Sequence, residues 1–84
     1  MNKYSKEEYS ALFDRLLSQE LCYESSAATE YNIKRATKRI LGRSIKEGLL
    51  KGYSNLVLSE SLDVLFTIKD FEGNSFDLVL YYGK

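Results

Sequence analysis

The sequence predicts an α+β domain in two layers: two N-terminal helices and a short third helix packed on a three-stranded antiparallel β-meander. Three observations predict it. Up to Leu50 the apolar residues recur every three or four positions, which is the helical period. Beyond Tyr53 they alternate, which is the period of a strand. Between two of those alternating runs lies Asp70-Phe71-Glu72-Gly73-Asn74, a turn sequence that pairs their apolar faces. With 84 residues the chain is read as a single domain, 1–84. A chain of this size buries roughly 60–65% of the surface it exposes when unfolded, so its core is small.

The first helix is expected at about residues 6–22. Ser5 and Glu8 have the spacing of a capping box, and Tyr4 and Tyr9 occupy the two positions of a hydrophobic staple. Glu7 and Glu8 fall in the first turn, where the helix dipole favours acids. Tyr9, Leu12, Phe13, Leu16, Leu17 and Leu21 form one apolar stripe. Glu20 falls on the same stripe near its end. Either the stripe leaves the core there, or Glu20 pairs with a base from the next helix.

Glu24-Ser25-Ser26 is a polar break, with Ser26 as the expected N-cap of a second helix at about 27–41. Gly42 would end that helix as a left-handed C′ residue. Thr29, Ile33, Ala36 and Ile40 share one face of its wheel; Lys34, Arg35, Lys38 and Arg39 spread over the opposite face around Tyr31. Ser44 and Glu47 repeat the capping-box spacing and predict a third helix at about 45–51, with Ile45, Leu49 and Leu50 as core residues. Gly48 weakens that helix and Gly52 ends it. The junction between the second and third helices has the length of a helix-turn-helix, but so short and interrupted a helix is a poor recognition helix.

Leu62, Val64, Phe66 and Ile68 alternate with Asp63, Leu65, Thr67 and Lys69 and pair, across the turn, with Tyr82, Leu80, Leu78 and Phe76. Gly73 takes the left-handed bulge position of that turn. A first strand at about 54–58 joins through Ser59-Glu60-Ser61, with Leu58 opposite Leu62 and Leu56 opposite Val64. The outer sheet face then shows Val57, Leu65, Val79 and Tyr81 among Asn55, Asp63, Thr67 and Asp77. A solvated face normally carries fewer apolar residues. Cover by the first helix, a homodimer and a protein partner each account for it. The last strand is expected at a sheet edge, which can accept a strand from another molecule.

Charge is the second signal. Twelve bases and twelve acids give zero net charge, but seven of the bases and one acid lie between Lys34 and Lys51. Acidic segments flank this basic one. The chemistry of most enzymes is missing. No His is present, so Ser and the single Cys have no imidazole to activate them, and metal sites built on Cys and His are ruled out. Cys22 is read as a small hydrophobe. The acids are scattered, and no phosphate-loop or calcium-loop spacing occurs. An enzyme, a cofactor and a metal are therefore not expected.

One Cys, no apolar leader and no run of ~18 apolar residues set the expectation of a cytoplasmic protein without a membrane association. Two function classes remain. The first is a non-enzymatic binding module whose basic second helix contacts nucleic acid, a nucleoprotein complex or another acidic partner through Tyr31, Lys34, Arg35, Lys38, Arg39, Arg43 and Lys46. The second is a protein inhibitor or adaptor of the phage or mobile-element type, acting on a host enzyme or defence complex through Val57, Leu65, Val79 and Tyr81 or the sheet edge. Against the first stands self-neutralisation: the basic face would offset the acidic flanks of the same chain.

Overall fold

Five elements make up the protein in the computed structural model, which describes residues 4–24 and 29–81. They are α1 (Lys6–Glu24), α2 (Glu30–Lys46), β1 (Gly52–Leu58), β2 (Val64–Lys69) and β3 (Ser75–Leu80). The strands form one antiparallel sheet in the order β1-β2-β3. The expected roles of Ser26 as a cap, Cys22 as a hydrophobic side chain and Tyr82 as the partner of Leu62 lie outside the described residues and side chains.

α1 starts where its caps dictate. The Ser5 N–H donates to Glu8 Oε1 at 2.8 Å, and the Glu8 N–H donates to Ser5 Oγ at 3.2 Å. This reciprocal pair satisfies a backbone donor that the first turn cannot satisfy itself. Tyr4 packs on Tyr9 with ring centroids 5.2 Å apart. Tyr9, Phe13, Leu17 and Leu21 are buried, while Leu12 and Leu16 are half-buried at the margin. Tyr9 meets Phe76 of β3 at 5.6 Å, and Phe13 meets Phe66 of β2 edge-on at 5.9 Å.

α2 corrects the three-helix expectation. It runs unbroken through Gly42 to Lys46, and the third helix does not form. Burial explains the continuity. Leu41 and Ser44 extend the core face of Ile33, Ala36, Thr37 and Ile40 by another turn. The two buried hydroxyls find partners without breaking the helix: Thr37 donates to the Ile33 carbonyl at 2.8 Å and Ser44 to the Ile40 carbonyl at 2.9 Å. Ser44 therefore caps nothing. The stop comes at Gly48, whose φ of 83° is the left-handed C′ conformation. The Gly48 N–H bonds the Ile45 carbonyl at 3.1 Å and the Leu49 N–H bonds the Ser44 carbonyl at 2.9 Å, the Schellman pattern. Leu50 is buried and Leu49 half-buried, but in the turn that leads to β1 rather than in a helix. At the other end Thr29, not Ser26, is the N-cap: its Oγ1 accepts from the Asn32 N–H at 3.2 Å. Thr29 is exposed there and is not a core residue.

The β2–β3 hairpin has the expected register, pairing Ile68 with Phe76, Phe66 with Leu78 and Val64 with Leu80. Asp70 bonds Asn74 across the turn and Gly73 has φ 88°. β1 departs from expectation. Leu58 pairs with Val64 rather than Leu62, and Val57 with Leu65, while Tyr53 pairs with Ile68. One extra residue on β1 between Ser54 and Val57 makes these registers compatible, and Asn55 absorbs it at φ 57°. The bulge turns Tyr53, Leu56 and Leu58 to one face although strict alternation would separate them. Leu62 is not in β2. It closes the Ser59–Leu62 turn with φ 66°, its N–H bonding the Ser59 carbonyl at 3.0 Å, and still packs on the core.

Both helices lie on the same face of the sheet, because their apolar residues share one core with Val64, Phe66, Ile68, Leu78 and Leu80. Val57, Leu65 and Tyr81 on the opposite face are exposed. The two-layer α+β arrangement thus stands with two helices in place of three.

Two glycine substitutions distinguish one helix from two. Gly42→Ala should stabilise the protein by roughly 0.5–1 kcal/mol, because Gly42 is a mid-helix position where an added Cβ meets no atom within 4 Å. Gly48→Ala should destabilise it by about 1 kcal/mol, because it forces an L side chain into the left-handed region. Urea unfolding of the two variants measures both; the opposite pair of signs would restore the break at Gly42.

Candidate partner-binding surfaces

The outer face of α2 gathers the basic residues. Tyr31, in the first turn, is 71% exposed, and Lys34, Arg35, Lys38, Arg39, Arg43 and Lys46 are all exposed as well. At 1.5 Å per residue the row from Tyr31 to Lys46 is about 22 Å long. Continuity of the helix is what makes it one row: a break at Gly42 would have turned Arg43 and Lys46 onto a separate element. Glu30, Tyr31, Lys34, Arg35 and Lys38 line a shallow open depression at its N-terminal end.

The row divides chemically. Arg39 donates to Glu20 Oε2, and Arg43 Nη2 donates to Glu20 Oε1 at 3.3 Å. The Glu20 side chain is only 13% exposed, whereas those of Arg39 and Arg43 are 38% and 49% exposed. The arginines therefore lean from the edge of α2 across to a carboxylate at the seam between the helices. The Arg39 hydrogen bond holds the Glu20 carboxyl below its ordinary range; burial opposes this, and Arg43 adds to the lowering. Of the two expectations for Glu20, pairing with a base of the next helix is the one observed.

Lys34, Arg35, Lys38 and Lys46 make no ion pair among the described residues. Arg43 and Lys46 also sit in the last turn of α2, where the helix dipole favours cations, so part of their placement has a local explanation. Glu30 in the first turn has the complementary one. The seven residues expected to act together thus form a four-cation row with Tyr31, plus an arginine pair engaged by Glu20.

The second surface is the open face of the sheet. Val57, Leu65 and Val79 lie side by side across the three strands. Val57 is 55% and Tyr81 59% exposed, while Val79 is half-buried. One row along, Thr67 donates to Asp77 Oδ1 at 2.7 Å, so the face becomes polar toward the hairpin turn. β1 and β3 are its two edges.

The sequence places Asp70 in the hairpin turn, closing against Asn74, and the structure adds how its carboxylate is used. It is buried at the hairpin turn, where Oδ1 accepts the N–H groups of Glu72 and Asn74, both at 2.9 Å, and Oδ2 accepts from Asn74 Nδ2 at 3.1 Å. Burial pushes its carboxyl up, but the donors of Asn74, Glu72 and Gly73 outweigh burial and hold it below its ordinary range. An Asp four residues before an Asn in a Gly-containing turn was the available signal. Its role is to close the hairpin.

No family model matches the chain, and comparison with curated proteins and with solved structures likewise finds no match. Among the described residues, no helix is long and apolar enough to cross a membrane.

Glu20 gives a pH prediction. A carboxyl held below its ordinary value stabilises the fold above that value, near 4.5, and the contribution is lost as pH falls through the lower, folded-state value. Glu20→Gln should cost about 1 kcal/mol at pH 7, consistent with a partly exposed ion pair. The gap between wild type and variant should close in acid. Paired urea titrations at pH 7 and pH 3 measure it; an unchanged gap would mean that charge is not what Glu20 contributes.

Proposed function

We propose that the protein is a small cytoplasmic, non-enzymatic binding module, and that the outer face of α2 contacts the phosphates of a nucleic acid, alone or within a nucleoprotein complex. The observation that carries this reading is the exposed set of Tyr31, Lys34, Arg35, Lys38 and Lys46 on one continuous helix, opposite the core face of that helix. Cations along a helix suit backbone phosphates, which position a protein but carry no base sequence. Tyr31 adds a ring on which an unpaired base can stack. Since net charge is zero, attraction acts at close range, within a Debye length of about 8 Å in physiological salt. Binding of this kind is weak to moderate and reads little sequence.

Fluorescence polarisation with single- and double-stranded oligonucleotides tests the proposal. Four engaged cations predict that log affinity for duplex falls with log salt at a slope between about −3 and −4. Arg35→Glu with Lys38→Glu should abolish binding without unfolding the protein, since both side chains are exposed. Failure to bind either oligonucleotide at low salt would remove the proposal.

A second reading rests on the apolar row of Val57, Leu65 and Val79 with the exposed Tyr81. It supports a protein contact, either self-association or inhibition of a larger partner. Under it, light scattering shows a dimer that Leu65→Asp dissociates, or pulldown recovers a protein that Leu65→Asp loses. A monomer with an unchanged set of co-purifying proteins would eliminate this surface.

A further inference from the structure

Gly42 stands near the middle of the basic face, and nothing within the protein calls for a glycine there. Its φ is not among the positive values, it lies within a regular helix, and an added Cβ would meet no atom within 4 Å. Glycine nevertheless makes a helix less stable than alanine does. Gly48, two positions after the end of the helix, shows the contrast, since its left-handed φ explains the residue directly. The neighbours of Gly42 on the helix surface are the residues three and four positions away: Lys38 and Arg39 before it, Ile45 and Lys46 after it. Bare backbone is thus bracketed by Lys38 and Lys46, which lie about 12 Å apart along the helix axis.

We infer that Gly42 is a crossing point, where a sugar-phosphate strand passes over α2 in contact with the bare backbone while Lys38 and Lys46 reach phosphates on either side. The inference rests on the nucleic-acid reading above and specifies its geometry. The main-chain N–H and C=O groups of Gly42 are held within the helix ladder, so the glycine contributes closeness and not hydrogen bonds. A side chain at this position would hold the strand off by its own width. The two lysines, on opposite sides, could then no longer both reach their phosphates. A strand that crosses at one point also fits a contact that reads backbone and not base edges.

Gly42→Ala and Gly42→Gln, each measured with single- and double-stranded oligonucleotides, test this. Both variants should melt no lower than wild type, because alanine and glutamine are better helix formers than glycine. Affinity should nonetheless fall, modestly for alanine and on the order of tenfold for glutamine. The salt slope of Gly42→Gln should be smaller in magnitude by about one, as one phosphate contact is lost. If both variants bind like wild type while Lys38→Glu abolishes binding, the crossing point is wrong and the nucleic-acid reading stands. If wild type itself binds neither oligonucleotide, the reading fails and takes the crossing point with it. The single-stranded and duplex arms show which form of the strand makes the crossing.

Discussion

The burial of one face of α2 along its whole length is the constraint on which the rest of this structure depends. Ile33, Ala36, Ile40 and Leu41 supply apolar surface, and the hydroxyls of Thr37 and Ser44 lie on the same face. Both hydroxyls bond carbonyls four residues earlier, so neither is stranded by burial and the helix does not need to end. Because α2 continues to Lys46, its end falls at Gly48, and the turn there delivers Leu50 to the core and Gly52 to the sheet. Tyr4 of the first helix's cap and Gly48 of the second helix's stop line the same groove, so the two helices run antiparallel. The sheet then receives both from one side, and its other side stays open.

The same continuity organises the charges. One long helix must present a polar face as long as its apolar one, and here that face is basic. Glu20 takes the two arginines nearest the helix seam and leaves four cations and Tyr31 facing outward. Neutralisation within the chain is therefore partial. It acts on the edge of the basic face and not on its centre, which is the part a partner would meet first.

Much of this could be read from the sequence, and the failures share a cause. The capping box at Ser5 and the β2–β3 register follow from neighbours a few residues apart, and both are as expected. Ser44 and Glu47 offered an equally good local signal for a new helix. Tertiary burial overrode it, because a serine on a buried helical face bonds its own helix instead of capping another. Gly42 and Gly48 have identical side chains, and only the extent of the buried face decides which of them ends the helix. The β1 bulge at Asn55 was also hidden. An asparagine tolerates the left-handed region, but that alone does not place a bulge; it exists because Tyr53 must face the core together with Leu56 and Leu58. In the surface reading, the basic residues were legible as a set. Their division was not, because the distance from Glu20 to Arg39 and Arg43 depends on how α1 and α2 pack.

Backbone chemical shifts from Glu30 to Lys51 test the central claim, the single helix, most directly. The account predicts helical Cα shifts without interruption through Gly42, Arg43 and Ser44 to Lys46, followed by a left-handed signature at Gly48 and none of helix beyond it. A loss of helical shifts at Gly42, with a second helical run over residues 45–51, would contradict it. It would also dismantle the continuous basic row that the proposed function requires.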